Sequence, residues 1–222
     1  MQRSNLVDRP IIDYRLYAIA DTGVIDEKQF EQRVAEVLAG GASVIQYRDK
    51  SEDQNKRLRQ AQLLRALTAD HQATLIINDD VHLAAVVGAD GVHLGEDDAS
   101  IGSAREQFSK VTGINPVIGL SCYNDLQRAV AAEVQQVDYV AFGRCFPSTT
   151  KPGERYVSLQ QIKQARDRLA VPIIGIGGIT LDNAPQLLSA GVDGIALIAS
   201  LFAVKNSQHA AQAFRRMFDH QP

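Results

Sequence analysis

Eight short apolar runs recur along the chain, at residues 16–20, 44–47, 74–77, 91–94, 117–121, 139–142, 173–176 and 194–198. They are rich in β-branched residues and almost free of charge, the composition of strands buried on both faces. Amphipathic stretches separate them. In residues 27–39, Phe30, Val34, Val37 and Leu38 share one helical face, with Gly40 at the expected C-cap. Ser51-Glu52-Asp53-Gln54 and Ser158-Leu159-Gln160-Gln161 read as capping boxes that open the next helices, and Thr180-Leu181-Asp182-Asn183 opens another. Residues 206–218 read as the last helix, with Ala210, Ala213, Phe214 and Met217 inward. Two-residue hairpin turns are missing between the runs, so the strands are expected to be parallel.

A weak internal repeat supports one unit used many times. Gly88-Ala89-Asp90-Gly91-Val92 and Gly191-Val192-Asp193-Gly194-Ile195 are nearly the same phrase, and Gly40-Gly41-Ala42-Ser43-Val44 is a looser copy. Each falls at a helix-to-strand return, where glycine permits a left-handed cap. Eight βα units in 222 residues predict an α/β fold, a closed (β/α)8 TIM barrel. The expected organisation is one domain over residues 1–222, with residues 1–13 as a short leader. A doubly wound open sheet is the second reading. It is disfavoured because eight strands make a large open sheet for this length.

Composition narrows the function classes. Apolar residues are 45% and charged residues 22%, ordinary globular values. Lys plus Arg (23) nearly balances Asp plus Glu (26), which provides no global field for nucleic acid or an anionic membrane. The longest uncharged run, residues 111–124, is too short to span a bilayer and contains Pro116 and Gly119. The N-terminus lacks the apolar core of a signal peptide. Cys122 and Cys145 have no CxxC spacing, and free barrel cysteines are usually apolar fillers. A cytoplasmic protein with reduced thiols is expected.

In such a barrel the chemistry sits at the carboxyl ends of the strands. The second run ends in Gln46-Tyr47-Arg48-Asp49-Lys50, and the third is followed by Asn78-Asp79-Asp80. After the fourth comes Gly95-Glu96-Asp97-Asp98, and the sixth leads to Pro147-Ser148-Thr149-Thr150-Lys151. Arg48, Lys50 and Lys151 are cations; Asp79 and Asp98 are carboxylates on neighbouring strands. Carboxylates facing cations suggest Mg²⁺ shared with an anionic ligand, because Mg²⁺ is held by one or two carboxylates plus substrate phosphates. Any one residue has a plainer reading: Arg48 and Asp49 as a solvated turn, Asp79 and Asp80 as helix caps. After the seventh run, Gly177-Gly178-Ile179-Thr180 marks a second anion site, because loops after strands seven and eight commonly bind phosphate. The plainer reading there is tight packing. His82 and His93 raise a Zn or Mn alternative, although His93 is better read as hydrogen-bonded within the barrel top.

At these residues the chain resembles the thiamine phosphate synthase family. Gln46-Tyr47-Arg48-Asp49-Lys50 looks like its Q-x-R-x-K block. Asn78-Asp79-Asp80 and Asp90-Gly91-Val92-His93-Leu94-Gly95 look like its N-D-D and D-G-x-H-x-G blocks. Gly119-Leu120-Ser121, Phe146-Pro147-Ser148-Thr149-Thr150-Lys151 and Gly177-Gly178-Ile179 follow in the family's order. The resemblance implies a transferase that joins 4-amino-5-hydroxymethyl-2-methylpyrimidine diphosphate to 4-methyl-5-(2-phosphooxyethyl)thiazole, releasing diphosphate and forming thiamine phosphate. The implied route is dissociative and Mg²⁺-assisted.

It also implies residue roles. Gln46, Arg48, Lys50, Asn78, Ser121 and Lys151 would bind the pyrimidine diphosphate, with Arg48, Lys50, Ser121 and Lys151 acting in catalysis. Asp79 and Asp98 would bind Mg²⁺. Ser148, Thr150, Gly178, Ile198 and Ala199 would bind the thiazole phosphate. Tyr47, Asp49 and Thr149 complete the expected substrate-binding set. The chain departs from the family's usual residues at Ser148 (Thr), Ala199 (Ser), Glu96-Asp97-Asp98 (Gln-Glu-Asp) and Arg144-Cys145 (Pro and a small aliphatic). Rival readings are a thiazole tautomerase-like isomerase and a non-catalytic phosphate-ligand-binding barrel. Retention of the cation and carboxylate sets argues against both. The expected partners are small-molecule substrates, with no nucleic acid and no membrane; a homo-oligomer is left open.

Overall fold

Uninterrupted apolar runs cannot sit at a solvated sheet face, and closing the sheet on itself buries both faces. A computed structural model describes residues 11–147 and 156–219. Its strands are β1 (Leu16–Asp21), β2 (Val44–Arg48), β3 (Thr74–Asn78), β4 (Gly91–Leu94), β5 (Val117–Tyr123), β6 (Tyr139–Gly143), β7 (Ile173–Ile176) and β8 (Gly194–Leu197). They pair in sequence order, all parallel, and β8 closes onto β1. The helices outside are α1 (Phe30–Ala39), α2 (Gln54–Asp70), α3 (Val81–Val87), α4 (Ile101–Thr112), α5 (Leu126–Val134), α6 (Leu159–Arg166), α7 (Ala184–Ala190), α8 (Ala199–Phe202) and α9 (Ser207–Arg216). The protein is thus a (β/α)8 barrel in one domain. Among the described residues, no helix is long and apolar enough to cross a membrane.

Side-chain alternation divides the core in two. One set, including Tyr14, Tyr17, Ile19, Val44, Ile76, Val117, Tyr139, Ile174 and Ala196, packs inside the barrel. The other, including Tyr47, Ile77, Val92, Phe108 and Phe142, packs between strands and helices. Each Val, Ile or Phe side chain among them contributes roughly 1.5–3 kcal/mol when fully buried. The inner layer needs room for a large ring: a Cβ on Gly119 would lie 2.0 Å from Cζ of Tyr139.

Several local expectations change. Residues 27–29 form a single 3-10 turn capped by Asp26, and α1 starts at Phe30. Asp53, not Ser51, caps α2, because the Ser51 amide is taken by Asp49 while Asp53 accepts from Lys56 N. The capping box at Ser158 and Gln161 forms as expected. Thr180 precedes α7 in a turn closed by Asn183, whose side chain accepts from its amide. Gly40 caps α1 in the right-handed region; Gly41, at φ 98°, makes the left-handed return. Ser207, Ala211 and Phe214 are the buried residues of α9; Ala210 and Met217 pack half-buried against the core as expected, and Ala213 is half-buried.

The repeated phrase proves to be a stitch at the amino-terminal end of the barrel. Asp90 Oδ2 accepts from Leu75 N and Asp193 Oδ2 from Ile173 N, each at 2.7 Å. Asp138 does the same for Ile118 N at 2.8 Å. Each carboxylate ties the start of its strand to the strand before it.

Candidate active site

The inward register positions at the carboxyl ends of the strands form the mouth. A cavity of about 90 Å³ there is lined on one side by Gln46, Arg48, Asn78, His93, Ser121, Tyr17 and Tyr139. Ile19, Ala141, Ile174, Ile176, Ala196 and Ile198 line the rest. One wall is therefore polar and the other apolar, which suits a flat heterocycle with polar edges.

The period of two that builds β2 separates its block. Gln46 and Arg48 face the cavity. Tyr47 and Asp49, expected to bind substrate, face the helices instead. Tyr47 packs edge-on against Phe30 and donates to Gln60 Oε1 at 2.9 Å. Asp49 accepts from Ser51 N at 2.6 Å and pairs with Lys56 at 3.0 Å. Its burial works against ionisation, but Ser51 and Lys56 prevail and bring its pKa down to about 2. Both side chains serve the β2–α2 connection rather than the mouth.

Arg48 is aimed by a residue that sequence reasoning did not single out. Asp21 is its register partner on β1, and Nη1 meets Asp21 Oδ2 at 2.6 Å. The other oxygen of Asp21 accepts from Gly23 N at 2.9 Å. The parity of Tyr17, Ile19 and Asp21 along β1 was the available signal.

Lys50, Asp79 and Asp98 meet at the rim. Lys50 Nζ pairs with Asp79 Oδ2. Asp79 and Asp98 share a hydrogen bond; burial raises both carboxyls, Lys50 then holds Asp79 below the ordinary range, and Asp79 pushes Asp98 further above it. Asp98 Oδ2 also accepts from Gly95 N at 2.6 Å. Asp79 sits at φ 64°, a costly conformation for a non-glycine residue, and its amide donates to the His93 carbonyl at 2.9 Å. Asp80 is the cap: it accepts from Leu83 N and pairs with Arg57 at 2.6 Å. The plainer reading therefore holds for Asp80 and not for Asp79. Two adjacent hard oxygen donors, each with capacity left over, suit a small divalent cation that takes its other ligands from water and phosphate.

A hydrogen-bonded chain crosses the barrel beneath these groups. Gln46 Nε2 donates to Tyr17 Oη at 2.8 Å, Tyr17 Oη meets Tyr139 Oη at 2.8 Å, and Tyr139 Oη meets His93 Nδ1 at 3.0 Å. His93 Nε2 reaches Ser121 Oγ at 2.9 Å. Burial holds the His93 pKa down to about 4, so the ring is neutral near pH 7. It carries one N–H, donates to one neighbour and accepts from the other. Burial likewise pushes Tyr17 and Tyr139 above the ordinary phenol range. His82 is exposed on α3 and does not join His93. Cys122 and Cys145 are packed among apolar groups, and burial pushes both thiols up to about 12.

Opposite, the loops after β7 and β8 carry Gly178, Ile198 and Ala199. Ile198 lines the cavity and precedes α8, which Ala199 opens; Gly178 and Ala199 are not among the lining residues. A Cβ on Gly178, at φ 63°, would lie 2.5 Å from the carbonyl oxygens of Phe146 and Pro147. Here the glycine is demanded by close packing of the β6 loop, which leads into Ser148, Thr149, Thr150 and Lys151. Those four lie outside the described residues.

The chain also has clear relatives. The family model described as "Thiamine monophosphate synthase" matches residues 16–201. A thiamine-phosphate synthase of Nitrosococcus oceani is 51% identical over 203 residues, covering 91% of this chain and 92% of that protein. One from Thioalkalivibrio sulfidiphilus is 41% identical, covering 92% of this chain and 95% of its own length. The solved thiamine phosphate pyrophosphorylase from Pyrococcus furiosus superposes with a TM-score of 0.82 at 32% identity, covering 93% of this chain and 96% of that one.

Proposed function

The chain belongs to the thiamine monophosphate synthase family and is a transferase of thiamine biosynthesis, and on that premise we propose its substrates and the work of its residues. The substrates are 4-amino-5-hydroxymethyl-2-methylpyrimidine diphosphate and 4-methyl-5-(2-phosphooxyethyl)thiazole; the products are thiamine phosphate and diphosphate. The observation that carries this reading is a heterocycle-sized cavity whose polar wall runs straight into a rim of paired cations and carboxylates. No enzymic nucleophile is required if the carbon–oxygen bond to diphosphate breaks first.

In this reading Gln46, Asn78 and Ser121 hold the pyrimidine diphosphate, with its ring in the cavity. Arg48 and Lys50, joined by Lys151, meet the charge that grows on the departing diphosphate. Oriented cations in a water-poor site stabilise such charge far better than bulk water does. Asp79 and Asp98 hold Mg²⁺, which when bound supplies further neutralisation of diphosphate oxygens. The apolar wall of Ile19, Ile174, Ile176 and Ile198 keeps water from the pyrimidine-methyl cation until the thiazole nitrogen captures it. Ser148, Thr150, Gly178, Ile198 and Ala199 receive the thiazole phosphate.

The test is direct. The protein is incubated with both substrates and Mg²⁺, and thiamine phosphate and diphosphate are measured. Stoichiometric formation of both, abolished by EDTA and restored by Mg²⁺, is the expected result. Absence of product overturns the transferase reading, and product indifferent to EDTA overturns the metal.

A further inference from the structure

Arg128 lies on α5, outside every block of the sequence that points to chemistry. Its guanidinium nevertheless reaches over the barrel rim to two strand ends at once. Nε donates to the Ser121 carbonyl at 2.8 Å and Nη2 to the Gly95 carbonyl at 3.1 Å. The β4–β5 ladder stops at Leu94 and Leu120, so both carbonyls lie just beyond its last pair. The β5–β6 register also shifts between Ser121 and Tyr123, and Tyr123 sits at φ 54°. Beyond the last β4–β5 pair, the Arg128 guanidinium therefore bridges the ends of these two strands. A guanidinium suits the task, because its planar fork presents several donors in fixed geometry.

The two residues it grips are neighbours of the proposed chemistry. Ser121 carries the hydroxyl that meets His93. Gly95 is pinned on both sides: its carbonyl by Arg128 and its amide by Asp98 Oδ2. A Cβ on Gly95 would lie 2.9 Å from that oxygen, so carboxylate and backbone are in close contact. Asp125, the α5 cap, accepts from the Arg128 amide, and its own amide donates to the Cys122 carbonyl at 2.8 Å. The base of Arg128 is thus anchored to the strand it grips.

We infer that Arg128 is a positioning residue, which sets Ser121 and Asp98 for the diphosphate and its metal by clamping the ends of β5 and β4. The inference rests on the function proposed above. It acts through two backbone carbonyls and touches no substrate.

The test compares wild type, Arg128→Met and Arg128→Lys in the full chain. Mn²⁺ uptake in the presence of inorganic diphosphate is followed by electron paramagnetic resonance, alongside steady-state kinetics and thermal melting. Loss of a group that orients metal ligands typically costs about 10- to 100-fold in metal affinity or activity. Arg128→Met should therefore bind Mn²⁺ about tenfold more weakly and raise KM for the pyrimidine diphosphate by a similar factor. KM for the thiazole phosphate should hold. Arg128→Lys should fall between, since an ammonium lacks the planar fork, and it carries the test if the Met variant does not fold. A lower melting temperature with Mn²⁺ affinity and both KM values unchanged would reduce Arg128 to a structural brace and overturn the inference. Wild-type protein that makes no thiamine phosphate overturns the underlying function reading, and wild-type protein that takes up no Mn²⁺ overturns the metal; either result takes this inference with it.

Discussion

Asp21 and Arg48 are register partners at the ends of β1 and β2, and their side chains meet at 2.6 Å inside the barrel mouth. A free arginine would sample many rotamers there. Held by a buried carboxylate, it presents its remaining donors to the cavity. Asp21→Asn removes the charge while keeping the shape. Hydrogen bonds to charged groups are worth about 1.5–3 kcal/mol, so KM for the pyrimidine diphosphate should rise by roughly tenfold or more. An unchanged KM would mean that Arg48 does not depend on Asp21.

The Asp79 carboxylate serves both Lys50 and Asp98. Asp79→Ala should abolish turnover and Mn²⁺ binding while leaving the far-ultraviolet circular dichroism of the barrel intact. Its backbone strain at φ 64° is not relieved by alanine, so no gain in stability is expected from that source. Retained turnover would remove Asp79 from the metal site.

Tyr139 is the middle of the chain from Gln46 to Ser121. Tyr139→Phe leaves the buried Tyr17 hydroxyl and the His93 Nδ1 each short of one partner. An unsatisfied buried polar group costs about 1–3 kcal/mol, and chemical denaturation should show a loss of that size. Activity should fall as well, because Ser121 loses a fixed neighbour. A neutral substitution would show that the Tyr17 hydroxyl and His93 Nδ1 find other partners without Tyr139.

Asp49 offers a pH-resolved test of its structural role. Its pKa is drawn from 3.8 to about 2, so the native state binds its proton less readily than the unfolded chain. The resulting stability is fully present above pH 4 and is lost as pH falls through about 2. It amounts to about 2 kcal/mol at neutral pH. Asp49→Asn should lower stability near pH 7 by about that amount and flatten the acid-unfolding profile below pH 4. KM for both substrates should be unchanged, and a rise in either would return Asp49 to the mouth.

Much of this was legible in the amino-acid order alone. Runs such as Ile173–Ile176 read as buried strands from their length and β-branched content, and the helical stretches between them point to parallel pairing. The position of a polar group just after each run then places it at one end of the barrel, which singles out Arg48, Lys50, Asp79 and Asp98; Asn78 and Ser121 take their roles from the family resemblance. The tertiary structure decided the rest, for reasons of direction and closure. Residue order does not say which face of β2 looks inward, so Tyr47 and Asp49 were grouped with Gln46 and Arg48 although alternation turns them away. It does not say which strands become neighbours across a closed barrel, so Tyr17, Tyr139 and His93 were not joined. Arg128 was invisible for the same reason, since its partners are carbonyls, and every residue in the chain has one.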